Sequence, residues 1–478
     1  MKKLILYILP VLVFLGACTK NIDSYNNQTK KAAVVPAAPL FTNATRGLSD
    51  QLAGIGGGNI TLHIVGHMAQ AVIEDNAQYN FVTSGMPNSV WNVLYRDVLN
   101  DLKRSDSILS TTTPDATISA ATIANQRACV DITEVYAWYV LVTSFGNVPY
   151  SEALNPNNLF PKYDDQKAIM TDLLKRLDDD LSKLSTTGAG FAVSEDLWFG
   201  GSVANWVTFG NSLKVLFGMT LADADPATSK SVVEAAASKA ISSTAQNVIM
   251  KYGSQPSNNP TYQAFVVAKR TDYVAPKNFM DQLLSNTDPR LSSFFGLNNA
   301  GKYVGAVMGV QTTFTTVSGP SKKDSAQDLP YVVLDYSEME FLRAEAVARG
   351  YNVGGTVESH YNEGIRQSLK YWGVADTAVT RYLADPTVAY TTAVGATPLQ
   401  KIALQKWISL YMHPFDEWVD IRRLDYPVLP APVGAVSGFP NRLYYPTGEQ
   451  TVNGANYTQA ASAVGGDKVE TKLFWDKN

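Results

Sequence analysis

"DYSEMEFLRAEAVARGY", residues 335–351, followed closely by "TVESHYNEGIRQSLKYWG", residues 356–373, decides how this chain folds. In the first segment Ser337 with Glu340 three residues on reads as a capping box, and Gly350 ends the helix. Ala344, Ala346 and Ala348 keep its surface small enough for a neighbour to approach closely. In the second, Val357, Tyr361, Ile365, Leu369 and Trp372 fall on one side before Gly373. Two such helices with a short turn between them make an αα-hairpin, and neither can bury its apolar face alone.

The same device recurs upstream. Ile169, Leu173, Leu177, Leu181 and Leu184 repeat at steps of four and three, with Asp178 and Asp179 off the stripe on a solvated face. Trp206, Phe209, Leu213, Leu216, Phe217 and Leu221 form a second stripe, and a shorter helix from about Ser231 to Ile241 follows the turn "DADPATS" at 223–229. A further helix is expected from Pro398 to Met412, with Leu404, Ile408 and Tyr411 inward. Units of about 34 residues suggest tetratricopeptide-like stacking, although that repeat's consensus is not legible. Between the hairpins, the segment from about 252 to 330 is rich in Gly, Asn, Ser, Thr and Pro, with a strand expected at "VQTTFTTV", 310–317. After Leu424 no helical period is visible. Long irregular segments of this kind usually carry function.

The first residues, "MKKLILYILPVLVFLGACTKNIDSY", combine Lys2 and Lys3 with an apolar run that is too short for an ordinary membrane span, as in a secretory signal. Leu15-Gly16-Ala17-Cys18 resembles a bacterial lipobox, which implies cleavage before Cys18, acylation there and stable anchoring at about 0.8 kcal/mol per buried methylene. The expected organisation is a signal peptide over 1–17, a flexible tether over 18–45 and a single domain over 46–478.

The whole chain of 478 residues carries 39 basic and 43 acidic groups, a net charge of −4. Loss of Lys2 and Lys3 takes the mature value to about −6. No basic face for nucleic acid is indicated. Of the two cysteines, Cys129 shares a helical stripe with Ile132, Tyr136, Tyr139 and Val140 and reads as a small buried hydrophobe.

Several blocks, taken in order, resemble the SusD/RagB family of Bacteroidetes outer-membrane lipoproteins. They are "TSFGNVPYSEAL" (143–154), "YDDQKAIMTDLL" (163–174), "WVTFGNSLKVLFGM" (206–219), "NTDPRL" (286–291), "YSEMEFLRAEAVARG" (336–350), "LQKWISLYMHPFDEWVDIRRLDYP" (404–427) and "RLYYPTGEQTVNGANYTQA" (442–460). The resemblance covers nearly the whole mature chain. It implies a mainly α fold of tetratricopeptide-like helix hairpins packed against an irregular, loop-rich ligand-binding half. It further implies a surface-exposed lipoprotein of the outer membrane that captures glycans, or in some relatives peptides, for a SusC-type TonB-dependent transporter, without catalysis.

The densest chemistry lies in "MHPFDEWVDIRR", 412–423. A glycosidase needs one carboxyl group with a raised pKa, whereas Arg422 and Arg423 beside Asp416, Glu417 and Asp420 are expected to lower these. The expectation is therefore structural: Asp416 caps a short helix, Trp418 packs inward, and Asp420 pairs with an arginine. His63 and His67 are spaced i, i+4 with Glu74 two turns on, but Ile64 stands where a metalloprotease glutamate would, so no metal is assigned. A calcium loop begun at Asp223 would lack its sixth-position glycine, since Thr228 stands there. No phosphate-binding loop or nucleophile elbow is present, so no cofactor is expected. Ligand contact is placed on aromatics that can stack on sugar rings, with neighbouring amides reading hydroxyls. The candidates are Asn76, Tyr79, Asn80, Phe81 and Trp91 in "DNAQYNFVTSGMPNSVW" (75–91) and Tyr262 in "SQPSNNPTYQAF" (254–265).

Overall fold

The computed structural model describes residues 35–54, 60–72 and 75–477. The expected signal peptide, Cys18 and most of the expected tether lie outside them, as does Glu74. From Ala37 onward the tether reading is corrected: α1 spans Ala37–Ala53 and buries Phe41, Ala44, Leu48 and Leu52. Prolines and alanines hid this stripe, because Pro36 stands at the cap and short alanines, Ala37, Ala44 and Ala53, fill three of its buried positions.

The helices that carry the packing follow in order: α2 Asn100–Thr111, α3 Ala120–Phe145, α4 Gln166–Lys183, α5 Val203–Thr220 and α6 Pro226–Ala236. Then come α7 Tyr336–Ala348, α8 Val357–Tyr371, α9 Pro398–Ser409 and α10 Pro414–Leu424. Local chemistry starts them. Asp165, Ser202, Asp225, Thr356 and Thr397 each accept a hydrogen bond from a first-turn backbone N–H, a contact whose loss costs about 1 kcal/mol.

The expected cap of α7 is corrected. Asp335, not Ser337, accepts from Glu338 N at 2.8 Å. Ser337 lies inside the helix and donates across the hairpin to Gly364 O at 2.8 Å. A Cβ on Gly364 would stand 2.9 Å from the Phe341 ring, so this glycine sets how closely α7 and α8 approach. The true reciprocal capping box belongs to α8, between Thr356 and Ser359.

Hairpins α3–α4, α5–α6 and α7–α8 pack in sequence, with α5 against α7 and α9 across both α7 and α8. Tyr139 stacks on Phe217 with centroids 4.2 Å apart, joining α3 to α5. Trp206 and Trp418 are fully buried, each side chain of this size contributing about 1.5–3 kcal/mol. The helical architecture is consistent with tetratricopeptide-like repeats.

Strands are few among the described residues: β1 Ala69–Gln70, β2 Val248–Met250, β3 Tyr273–Val274 and β4 Tyr331–Leu334, paired antiparallel as β1–β3 and β2–β4. The strand expected at 310–317 does not form; Phe314–Thr316 is a 3₁₀ turn. Phe314 and Val317, three residues apart, pack onto a small core in place of a ladder. The segment 252–330 also contains the helix Lys277–Ser285. Beyond Leu424 the expectation of no helix is corrected by Thr447–Val452 and Gly454–Ala463, the latter rich in alanine and burying only Ala460.

Candidate functional site

The charged block 412–423 lies in the interior, with every residue from Pro414 to Arg423 buried. Arg423 donates to Glu345 at 2.5 and 2.7 Å and to Asp420 at 2.7 Å. Lys406 pairs with Asp420 at 2.5 Å and Glu338 at 3.4 Å. Arg349 extends the chain of charges to Asp223 at 2.6 Å. Burial pushes Glu345 up, but Arg423 and Arg349 reverse this and hold it at about 2.

Two expectations fail here. Asp416 does not cap α10; His413 occupies that place, and Asp416 sits in the first turn. Its pKa and that of Glu417 are raised well above the ordinary range, by burial first and neighbouring carboxylates next. The pull of Arg423 on Glu417 is outweighed, and both arginines are committed elsewhere. Arg422 donates to the carbonyls of Trp418, Thr143 and Asn441 at 2.7–2.9 Å and lies 3.6 Å over the Trp418 ring. Raised carboxyl groups sealed between helices meet no substrate. The block is a polar knot tying α7, α9 and α10 together.

The histidine pair is also structural. The helix around His63 is only Thr61–Ile64 long, so no i, i+4 face exists. His63 Nδ1 contacts Met68 O at 2.9 Å and His67 Nε2 contacts Trp407 O at 3.0 Å. Burial lowers them to about 4 and about 3. Among the described residues no group of acidic, histidine or cysteine side chains is placed to hold a metal. Cys129 is free and buried, its thiol pushed up by burial.

The short β1–β3 ribbon organises the irregular half. Because its strands run antiparallel, the loop leaving β1 and the loop entering β3 emerge from the same end. Ala71 N donates to Asp272 O at 2.7 Å across them. Two more loops are strapped on: Thr312 N donates to Ala71 O at 2.8 Å and Gln78 Nε2 to Gly309 O at 3.0 Å. Val433 N then donates to Met308 O, and Val436 N to Gln78 O, both at 3.0 Å. Ala69, Ala71, Ala77, Val274, Ala306, Met308 and Val317 form a small core of their own beneath this four-loop face.

On the face, Asn80 is half-buried and donates to Asp75 Oδ1 at 3.0 Å. Tyr262, half-buried, ends the short helix Pro260–Tyr262, whose cap Asn259 accepts from Thr261 N at 2.6 Å and donates to Leu329 O at 2.6 Å. The other candidates turn inward. Phe81 is 1 % exposed and Trp91 6 % exposed, which corrects the expectation of open stacking faces there. Trp91 belongs to an aromatic cluster with Tyr95, Phe145, Tyr163 and Tyr445. Asn76 and Tyr79 are buried as well, and burial moves the Tyr79 hydroxyl up to about 12. Sequence reasoning missed residues carried by these loops: Phe314, half-buried against the small core, with exposed Val72, Val310, Gln311 and Val433, and half-buried Phe265, 5.8 Å from the Tyr273 ring of β3. Their loops are distant in sequence, and only the irregular composition of 252–330 pointed toward some of them.

Helix hairpins thus carry a strapped, partly aromatic loop face. A family model described as starch-binding associating with outer membrane, SusD-like_2, matches residues 26–446, and the chain belongs to that family. Its members are non-catalytic binding proteins and outer-membrane lipoproteins. Among solved structures, a chitin-binding protein superposes with a TM-score of 0.79 at 23% identity, covering 92% of this chain and 100% of its own. A SusD homologue from Bacteroides uniformis gives 0.77 at 24% identity, covering 92% and 99%. A chitin-binding SusD homologue from Flavobacterium johnsoniae gives 0.75 at 23%, covering 92% and 98%. At these identities the likeness establishes the fold. No curated protein matches the chain.

Proposed function

We propose that this chain is a surface-exposed outer-membrane lipoprotein, anchored through Cys18, that binds an oligosaccharide on the four-loop face and delivers it to a SusC-type TonB-dependent transporter. The family match over 26–446 carries the reading. Neutral groups of the face such as Asn80, Gln311 and Thr312 suit sugar hydroxyls, and the half-open ring of Tyr262, on the segment that leads through Phe265 to β3, suits the C–H face of a pyranose. Two relatives of the same fold are named as chitin-binding, which makes chito-oligosaccharides the first ligands to try beside malto-oligosaccharides.

The test is titration calorimetry of the full-length chain in detergent against both sugar series and a set of peptides. Heat is expected from a glycan, with Tyr262→Ala weakening it about ten-fold, or ~1.4 kcal/mol. Heat from peptides alone would replace the cargo class. A large barrel protein is expected to co-purify from native membranes, and its absence would remove the delivery step.

A further inference from the structure

A second concavity lies away from the four-loop face. The helix entered at Met86 continues through the π-helical turn Val93–Leu99 into α2, so residues 100–107 stand about 20–30 Å along it from the loop end. There Asn100, Lys103, Arg104 and Ser107, one face of α2 at helical spacing, oppose Leu154, Asn155, Pro156, Asn158 and Leu159 across an open groove of ≈ 670 Å³. That volume suits a small ligand.

The opposing loop is held in place. Lys103 Nζ donates to Ala153 O at 2.9 Å, and Asn158 donates to Glu152 at 2.9 Å. Asn155 and Asn158 each accept a backbone N–H two residues on, and Asn453 and Asn456 tie down the carbonyls of Pro161 and Phe160. Leu154 is kept at φ 58°, a left-handed conformation that a leucine adopts only when its surroundings impose it. Such fixing presents Leu159 and Phe160, 72% and 56% exposed, as a rigid apolar ledge. Adjacent large apolar side chains left open in this way mark a contact surface.

Charge selects the occupant. Among the described residues Arg104 has no ion-pair or hydrogen-bond partner, whereas nearby Arg96 is paired with Asp97, Arg127 with Asp106, and Lys162 with Glu152. On a chain of net charge −4, Arg104 and Lys103 form a local cationic spot beside the ledge. A guanidinium binds carboxylate or sulfate oxygens bidentately, the ledge suits the C–H face of a pyranose, and the Asn100 and Asn155 amides suit its hydroxyls. We propose that this groove is a second carbohydrate subsite, taking an oligosaccharide unit that carries a carboxylate or sulfate.

The experiment titrates the full-length chain in detergent with oligogalacturonates, with sulfated chondroitin oligosaccharides and with neutral galacto-oligosaccharides. Binding of one acidic series is expected, and which series responds separates carboxylate from sulfate. Arg104→Ala and the double variant L159S/F160S are each expected to weaken it about ten-fold, with Arg104→Lys intermediate. All three side chains are exposed, so these variants are expected to keep the wild-type melting temperature. No acidic oligosaccharide bound, equal binding by Arg104→Ala, or equal binding by L159S/F160S would each overturn the subsite. None of these results touches Tyr262 or the four-loop face, so the reading of that face is tested separately.

Discussion

Replacing Arg423 by methionine asks whether the buried knot holds the fold or performs chemistry. The substitution keeps much of the side-chain volume but removes the charge from Glu345 and Asp420. Glu345 retains Arg349 at 2.8 Å and Asp420 retains Lys406 at 2.5 Å, so neither is wholly orphaned. Against the upward push of burial, the pKa of Glu345 is displaced from 4.5 to about 2 by Arg423 first, with Arg349 and Lys406, which at ~1.4 kcal/mol per unit corresponds to about 3.5 kcal/mol, of which Arg423 supplies the larger part. Breaking a buried pair generally costs about 3–5 kcal/mol, and the remaining partners place this case at the lower end. With unfolding entropy near ~2.1 cal/mol/K per residue, the chain should melt about 3 °C lower.

Thermal and urea unfolding of R423M provide the assay. Lys175→Met is the control: it removes a 2.9 Å ion pair with Asp179 whose side chains are 71% and 52% exposed, where the expected change is at most about 0.5 kcal/mol. Glu345 has a folded pKa below its unfolded one, so its contribution is present above about pH 4.5 and fades as pH falls toward 2. R423M should lose part of that acid dependence. An R423M protein that melts within about 1 °C of the parent yet fails to bind its ligand would refute the structural assignment.

Two further expectations concern the loop face and the buried histidines. Gly309 has φ +77° and an added Cβ would lie 2.1 Å from Val433 O, so Gly309→Ala should detach the 430–438 strap. Hydrogen exchange there should rise and glycan affinity fall while the global melting temperature changes little; unchanged exchange would show that the strap is held elsewhere. The folded pKa of His67, about 3, is below the unfolded 6.5, so its contribution is complete above pH 6.5 and is lost as pH falls toward 3. His67→Gln should flatten the loss of stability between pH 6 and about 4; an unaltered slope would mean that this ring does not govern it.

The sequence by itself determined the hairpins. Their stripes at steps of three and four, with glycines at the ends, leave only helices packed on helices, and α4, α5, α7 and α8 appear where the periodicity placed them. The inward packing of Trp418 and the pairing of Asp420 with an arginine were legible in the same local way. Which residue capped α7, which carboxyl groups in 412–423 met an arginine and which aromatics stayed open were decided only by tertiary structure. Asp416 is raised by burial first and by neighbouring carboxylates next, and no arginine offsets this, since Arg422 reaches carbonyls on other segments and Arg423 reaches Glu345 of α7. Trp91 packs against Phe145 and Tyr445, far along the chain, whereas Tyr262 stays half-open. Helical periodicity is a short-range signal, carried by residues within one turn of each other. A loop face is long-range: Thr312 meets Ala71, Val433 meets Met308 and Val436 meets Gln78 through backbone hydrogen bonds that most side chains could accompany, and such bonds leave little mark in the letters.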